Sequence, residues 1–369
     1  MKITCNRAEL MEGLQNTARA AAVKSTNPVI EGILLKAAKS EIYICGYNLD
    51  MGISKSISAS CDEDGGVVVP TRICDIIRRM PEEMVEITCD ERYVVNIKSG
   101  ETSFSIIGMK PEDFPELPRV DGEKSVGVPE RLLKSMISQT FYAISSSDIN
   151  PVYKGALFEI GEGNISIITL DGYRLAVRNE EISEIENQRF IVPGKTLQEV
   201  RQLLRESDDF AQIRAASSNI IFTIGGYNII SRLFTGDFID YRSTFSREYN
   251  YSVKVKTSDI AAAVDRVALV NSESHRSPVR CVFGGGKLRM TCETPVGKAD
   301  DKISCNCDFE EELEIGFNSK YMQDAFKNVD CDEIVLRILQ PDKPVQVIPP
   351  ESEHFFFLLL PVRLNSVEN

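Results

Sequence analysis

The chain lacks the motifs by which phosphate-binding and nucleophilic enzymes are recognised. It has no Gly-x-x-x-x-Gly-Lys-Ser/Thr loop, no Gly-x-Gly-x-x-Gly after a strand-like segment and no Gly-x-Ser-x-Gly elbow. Its acidic pairs are better explained as solvated loops than as acid/base dyads. The sequence therefore offers no credible active site, and we expect no cofactor.

Histidine is scarce, and the cysteines are poorly spaced for metal binding. The chain has two histidines, His275 and His354, and its 10 cysteines include no Cys-x-x-Cys pair. A zinc site is therefore poorly supplied with ligands. Several cysteines fall within or beside strand-like segments, so we expect reduced, buried, small apolar side chains rather than disulfides.

Long apolar segments are also missing. No apolar run reaches the roughly 18 residues of a membrane span, and the N-terminus lacks the cationic-then-apolar pattern of a secretory signal. We therefore expect a cytoplasmic protein with no membrane partner.

What the sequence does contain is a threefold repeat. An apolar residue is followed 18 positions later by a proline at Leu10/Pro28, Leu133/Pro151 and Ile260/Pro278. The first apolar residues are separated by 123 residues (133 − 10) and 127 residues (260 − 133). Solenoid repeats are far shorter, at roughly 20–50 residues, so each copy should be a domain with its own core. We predict domains over residues 1–121, 122–248 and 249–369.

Each repeat has the pattern helix, strands, helix, strands. Apolar residues at helical spacing predict the first helix over residues 7–22, and a second helix opens at Pro70-Thr71. The remaining helices are expected over residues 130–145, 194–206, 258–270 and 319–328. Residues 41–58 are strand-like, with β-branched alternation. Two short helices and about eight strands per repeat indicate an antiparallel α+β fold.

The distribution of charge is more informative than its sum. The net charge of −13, taken alone, argues against nucleic acid. Yet the predicted helices of all three repeats carry basic residues, many of them opposite the apolar stripe. For one helix, a solvated face of ordinary lysines and arginines is the simpler interpretation. Recurrence in three repeats favours a surface that attracts phosphates, while the acidic remainder keeps the protein in solution.

One turn in the second repeat differs from its counterpart in the first. Asp-Gly predicts a hairpin turn within Thr169-Leu170-Asp171-Gly172-Tyr173-Arg174-Leu175-Ala176. The matching residues 48–52 contain neither the tyrosine nor the arginine. Together with the repeats and Leu360-Pro361-Val362-Arg363-Leu364, this segment resembles the bacterial DNA polymerase III β subunit family, the sliding clamps. Leu170 and Ile239 stand where that family usually has threonine and proline.

The resemblance extends over the whole chain and implies a fold and a function. Such clamps are head-to-tail dimers of three-domain crescents, and they form closed rings around duplex DNA with helices lining the hole. They confer processivity without catalysis, and they contact DNA without reading its sequence. The implied partners are double-stranded DNA, a second copy of the chain, the replicative polymerase catalytic subunit, the clamp loader and other proteins with a clamp-binding motif.

The family pattern and the basic helices together suggest three sets of site residues. The expected DNA contacts are Lys24, Arg72, Arg78, Arg79, Ser147, Lys195, Arg201 and Arg205. The positions that match the dimer interface are Phe104, Ile106, Leu269 and Val270. The positions that match the cleft for partner peptides are Tyr153, Leu170, Gly172, Tyr173, Arg174, Leu175, Ile239, Leu358, Leu360, Pro361, Val362, Arg363 and Leu364.

In that cleft, Leu175, Leu360 and Val362 would supply an apolar floor. Gly172 would let a ligand approach the backbone, and Arg174 would hydrogen-bond ligand carbonyls. Two other classes of function remain as alternatives at this point. One is a multi-domain hydrolase with an unrecognised acidic site, and the other is a scaffold that binds proteins only.

Overall fold

The computed structural model of the chain describes residues 1–120, 125–183, 186–244, 248–272, 277–352 and 354–364. These residues form six α-helices and 25 strands, and the strands pair antiparallel, which confirms the predicted α+β fold. His275 lies outside the described residues.

Residues 1–120 hold two helices and eight strands. The helices are α1 (Arg7–Ala18) and α2 (Ile73–Arg78). The strands are β1 (Lys2–Asn6), β2 (Gly32–Ala38), β3 (Glu41–Tyr47), β4 (Met51–Glu63), β5 (Gly65–Pro70), β6 (Met84–Cys89), β7 (Val94–Ser99) and β8 (Thr102–Ile107).

The middle of the chain repeats this order. Its helices are α3 (Glu130–Phe141) and α4 (Gly194–Leu203). Its strands are β9 (Val126–Pro129), β10 (Gly155–Gly161), β11 (Asn164–Leu170), β12 (Arg174–Glu181), β13 (Gln188–Pro193), β14 (Phe210–Ala215), β15 (Asn219–Ile224) and β16 (Tyr227–Arg232).

The last third repeats the order again, with one additional short strand. Its helices are α5 (Thr257–Ala268) and α6 (Ser319–Lys327). Its strands are β17 (Tyr251–Lys256), β18 (Val279–Gly284), β19 (Lys287–Thr294), β20 (Gly297–Ser304), β21 (Asn306–Cys307), β22 (Leu313–Phe317), β23 (Glu333–Ile338), β24 (Val345–Ile348) and β25 (Phe355–Leu359).

Local hydrogen bonds explain where the elements begin and where the predicted bounds were wrong. Helix α1 begins after Asn6, whose side-chain oxygen accepts hydrogen bonds from the first-turn amides of Ala8 and Glu9. It ends at Ala18, four residues before the predicted end (22 − 18). The predicted strand 41–58 is two strands, because Leu49 has a φ of +77° and turns the chain between β3 and β4.

The first of two compact units contains Met1–Lys134 and Lys195–Leu233. Its 12-stranded sheet follows the order β8-β7-β6-β1-β4-β16-β15-β14-β9, and β3 continues from β4 to β2 and β5. Side chains of α1, including Leu10 and Leu14, are fully buried against this sheet. At the end of the path, β8 pairs with β7 and with no other strand among the described residues.

The second compact unit contains Ser135–Gly194 and Phe234–Asn369. One of its sheets has nine strands in the order β13-β10-β11-β12-β25-β24-β23-β17-β21. The other has four strands in the order β20-β19-β18-β22. The pairing of β12 with β25 joins two sequence-distant parts of the chain in one sheet, and β20 is an edge strand among the described residues.

Candidate functional site

An apolar cluster in the second unit gathers several residues of the expected peptide cleft. Leu170 ends β11, Leu175 lies on β12 and Leu358 lies on β25, and all three are buried in one cluster with Phe238. Tyr153 packs against the same cluster with part of its side chain exposed. The antiparallel pairing of Leu175 with both Leu170 and Leu358 explains why residues so distant in sequence meet here.

The turn between β11 and β12 is held by Asp171. Its carboxylate accepts hydrogen bonds from the backbone amides of Tyr173 at 2.9 Å and Arg174 at 3.1 Å. Gly172 is exposed and has a φ of +93°, a left-handed conformation that favours glycine. No atom lies within 4 Å of the position that a Cβ of residue 172 would occupy, so the backbone of this turn is open to a ligand.

Arg174 is buried and held by four side chains. Its Nε donates to Asp171 at 3.0 Å, and one terminal nitrogen donates to Asp324 on α6. The guanidinium carbon lies 4.6 Å from the ring centre of Tyr321 and 5.3 Å from that of Tyr142. Two of the donors therefore bind carboxylates of the protein, and Arg174 fastens the turn to α6 in addition to its expected role toward ligands.

The C-terminal tail, residues 360–364, is anchored on two sides by backbone hydrogen bonds. The amide of Leu360 donates to the carbonyl of Tyr173 at 2.9 Å, and the amide of Val362 donates to the carbonyl of Gly316 at 2.8 Å. The tail therefore bridges the 171–174 turn and β22. Leu360, Pro361, Val362 and Leu364 are half-buried, and Arg363 is exposed.

Gly316 is a site residue that the sequence did not reveal. A Cβ at this position would lie 2.6 Å from Cδ2 of Leu364 and 2.7 Å from the carbonyl oxygen of Val362. The tail can approach β22 this closely because residue 316 has no side chain. The backbone of Gly316 is not left-handed, so no turn pattern marked this glycine as necessary.

A cavity of about 940 Å³ adjoins the tail and the turn. Its walls include Tyr173, Arg174, Val362 and Arg363 from the expected peptide site. The remaining expected residue of that site, Ile239, follows the buried Phe238 and is half-exposed. All 13 expected peptide-site residues thus lie in the second unit, where four of them line this cavity and four belong to the apolar cluster.

The expected DNA contacts differ in whether a carboxylate lies close to their charged groups. Lys24, Arg72 and Lys195 are exposed, and within the described part of the chain no carboxylate lies within 4.0 Å of their charged groups. Arg78 and Arg79 share Asp75 at 3.1 Å and 3.8 Å and remain largely exposed.

The other three expected DNA contacts, Ser147, Arg201 and Arg205, differ from one another in exposure and in their partners. Arg201 is half-buried on α4. Ser147 is exposed, and its hydroxyl accepts a hydrogen bond from the amide of Ile149 at 3.3 Å.

Arg205 has a structural role that its charge alone did not suggest. It donates to Glu130, which is fully buried, through its backbone amide at 2.8 Å, its Nε at 3.1 Å and a terminal nitrogen at 2.8 Å. Burial alone would raise the pKa of Glu130, but the hydrogen bonds and charge of Arg205 outweigh it and lower that pKa. Arg205 therefore compensates a buried carboxylate at the start of α3.

The expected interface residues lie at two separate places in the fold. Phe104 and Ile106 are on β8, the edge strand, with Phe104 42% exposed. Leu269 and Val270 follow α5, and Leu269 is 81% exposed. Ile106 and Val270 are half-buried. The exposed apolar side chains of Phe104 and Leu269 are typical of an interaction surface, and the strand that carries Phe104 has one edge unpaired among the described residues.

The ten cysteines are free thiols. The expected burial holds for Cys5, Cys45, Cys281 and Cys292, whereas the other six are half-buried. The sulfur atoms of Cys305 and Cys307 lie 3.5 Å apart. Among the residues that the structure covers, no three His, Cys, Asp or Glu side chains are grouped to hold a metal ion. No helix in those same residues is long and apolar enough to cross a membrane.

Comparisons with known proteins match the whole fold. Family models of the DNA polymerase III beta subunit match its N-terminal domain to residues 1–118, its central domain to 127–240 and its C-terminal domain to 242–363. The beta sliding clamp of Staphylococcus epidermidis is 30% identical over 98% of this chain and 99% of its own length. That of Staphylococcus aureus is 29% identical with the same coverage.

A solved structure supports the same assignment. The DNA polymerase sliding clamp of Bacillus subtilis superposes with a TM-score of 0.95 at 26% identity, and the match covers 99% of this chain and 100% of the other. These matches favour a sliding clamp over the two alternatives that the sequence left open, a multi-domain hydrolase and a scaffold that binds proteins only. The chain therefore belongs to the DNA polymerase III beta subunit family, the sliding clamps, and is a non-catalytic processivity factor of DNA replication.

Proposed function

We propose that two copies of the chain close head to tail into a ring around duplex DNA. The ring tethers the replicative polymerase catalytic subunit, the clamp loader and other motif-bearing proteins through the peptide cleft, in the cytoplasm. The three repeats, 1–121, 122–248 and 249–369, act as its domains. The observation that carries the proposal is a strand pairing that occurs twice within the chain. In the part of the chain that the structure describes, it leaves one matching edge without a partner on β8 and one on β20.

The two internal pairings are equivalent residue by residue. In the first unit Ile53 of β4 pairs with Ile229 of β16, and in the second unit Ala176 of β12 pairs with Phe357 of β25. Ile53 and Ala176 are 123 residues apart (176 − 53), and the same step leads to Ala299 on β20 (299 − 176). Strand β20 is thus the third copy of β4 and β12, and within the described residues its outer edge has no partner strand.

The partner of the third copy is found by the same tracing. Paired residues lead from Val126 through Ile213 and Phe222 to Ile229, and from Val253 through Leu336 and Val347 to Phe357. The equivalent path in the first third leads from Ile3 through Ile87 and Ile97 to Phe104 on β8. We therefore expect Phe104 to pair with Ala299 of the partner subunit, in a heterologous interface that closes by symmetry.

Five exposed cations supply the DNA contacts. Lys24, Arg72 and Lys195, with the exposed Arg78 and Arg79, suit weak contact with phosphates rather than reading of bases. Each phosphate contact adds about −0.9 to the slope of log K against log salt concentration, so a handful gives a shallow to moderate slope. A topological link, not affinity, keeps such a ring on DNA.

The peptide cleft is the site for partner proteins. A peptide with a glutamine and two apolar residues would bury its apolar pair against Leu175 and Val362, with the cluster around Leu170 and Leu358 beneath. Micromolar affinity, about −8 kcal/mol, suits an interface of this size.

Retention on nicked circular DNA tests the ring. The protein, assembled on the circle with a clamp loader, should remain bound through gel filtration and should be lost once the DNA is linearised, because a topological link escapes only at ends. The variant Leu269→Asp with Val270→Asp should be monomeric and fail to be retained. Because Leu269 also lines the cavity beside the tail, its peptide binding is measured with a peptide of neutral flanks, which it should still bind. Equal retention on circular and linear DNA would contradict the proposal.

A further inference from the structure

The 940 Å³ cavity beside the tail has a polar wall that the apolar anchors of a peptide do not explain. Helix α6 contributes Lys320, Gln323 and Asp324, and α5 contributes Asp265. Val362, part of the proposed peptide floor, lines the same cavity. A peptide that occupies the cleft therefore has a continuous route into this space.

The carboxylates of the cavity wall are compensated within the protein. Asp171 and Asp324 both accept hydrogen bonds from Arg174. Asp265 accepts from Gln323 at 2.7 Å and forms an ion pair with Lys327 at 3.1 Å. Burial alone would raise the pKa of Asp265, but these two partners outweigh it and lower that pKa.

Two cations of the same wall are left without such compensation. Lys320 and Arg363 are both exposed and line the cavity. Within the described residues, neither has a carboxylate within 4.0 Å. The wall therefore presents positive charge to whatever enters the cavity, because its negative charges are already engaged.

We propose that this cavity binds an acidic segment flanking the apolar anchor of a partner peptide, with Lys320 as the residue that sets the preference. The inference rests on the proposed peptide cleft and adds the chemistry of the partner's flank. Lys320 lies on the first turn of α6, where its side chain acts as a charge on a fixed helix. Such a preference favours acidic partners over neutral ones without altering the apolar anchors.

The test uses the full chain and two synthetic peptides of the same length. Both carry the glutamine and two apolar anchors, and their flanks are either three aspartates or three asparagines. Wild-type protein should bind the acidic peptide about two- to fivefold more tightly at low salt, as expected for an exposed ion pair. Raising the salt to about 0.5 M should remove the difference, because it screens exposed charges.

Matched variants assign the effect to Lys320. Lys320→Gln should abolish the flank preference and leave the affinity of the asparagine peptide unchanged. Lys287→Gln makes the same charge change on an exposed lysine of β19 outside the cavity, and it should retain the preference. Lys320→Glu should bind a peptide with three lysines in its flank more tightly than the peptide with three aspartates.

The outcomes separate the two levels of the proposal. If both peptides bind wild type equally, or if Lys320→Gln keeps the preference, the acidic-flank inference is wrong while the cleft stands. If neither peptide binds wild type, the proposed cleft itself fails. If Lys320→Gln weakens binding of a short DNA duplex and leaves the peptide preference intact, the lysine serves DNA and the inference is overturned.

Discussion

Replacing Gly316 with alanine tests the geometry of the C-terminal tail with a single methyl group. The new Cβ would lie 2.7 Å from the carbonyl oxygen of Val362. Carbon and oxygen atoms in contact are separated by about 3.3 Å or more, so the tail has to move by about 0.6 Å. The side chain of Leu364, at 2.6 Å, has to move as well.

The expected cost follows from what that movement breaks. The amide of Val362 donates to the carbonyl of Gly316 at 2.8 Å, and losing one such bond costs about 1 kcal/mol. Overpacking adds about 1–3 kcal/mol in a rigid core. The tail lies outside the helices and strands and yields more readily than a rigid core, so we expect a total of about 1–2 kcal/mol. A peptide that requires the tail in its present position should then bind about 5- to 30-fold more weakly.

Titration calorimetry with the anchor peptide measures this directly. Gly297→Ala is the matched control, because a Cβ at residue 297 has its nearest neighbour, Cγ1 of Val270, at an ordinary 3.7 Å. It should leave the peptide Kd unchanged. A Gly316→Ala protein that is folded and binds the peptide within twofold of wild type would refute the reasoning, since the tail would then not set the affinity.

The remaining predictions concern the interface and the charged residues. Leu269→Asp combined with Val270→Asp should give folded monomers, because unpaired charge in a desolvated interface costs several kcal/mol; an unchanged dimer in sedimentation velocity would exclude this surface. Lys195→Ala should reduce the slope of log K against log salt concentration for DNA binding by about 0.9. Arg205→Ala should instead lower the melting temperature, because it leaves the buried carboxylate of Glu130 without its cationic partner. Since the folded-state pKa of Glu130 is lowered from 4.5, its contribution to stability is complete above that value and is lost as the pH falls below it. Thermal melts from pH 6 to pH 3 should therefore show a weaker acid dependence in Arg205→Ala, and an identical dependence would contradict this role.

The fold was largely predictable because the repeat and the local patterns act over short distances. Apolar spacing placed helices over α1, α3 and α5, and the Asp-Gly signal placed the turn between β11 and β12. The ends of helices were overestimated, since an apolar stripe continues past the residue where backbone hydrogen bonding stops. Helix α3 ends at Phe141 rather than at the predicted 145, and α4 ends at Leu203 rather than at 206.

The site was predictable only in part because its contacts join distant segments. Leu170 and Leu175 lie in one hairpin, so a local pattern places them together. Arg174 and Asp324 are 150 residues apart, and no pattern of charges in the sequence predicts that they form a pair. The sequence predicts that Arg205 faces DNA, because nothing in it shows that Glu130, 75 residues earlier, is its partner in the fold. Gly316 escaped notice because close approach, unlike a left-handed turn, leaves no local sequence signal.

The repeated strand pairing has a consequence for where a ring of this design opens. Within the chain, β4 and β16, and likewise β12 and β25, are tethered by the intervening polypeptide, so a broken pairing is restored at the high effective concentration of a linked strand. In the proposed ring, β8 of one copy and β20 of the other would have no such tether, and rejoining would depend on the other closed junction and on protein concentration. Three junctions of one architecture would then differ in persistence because of their connectivity alone. The untethered junction would open first, and the lifetime of the proposed ring could be tuned there without altering an internal contact.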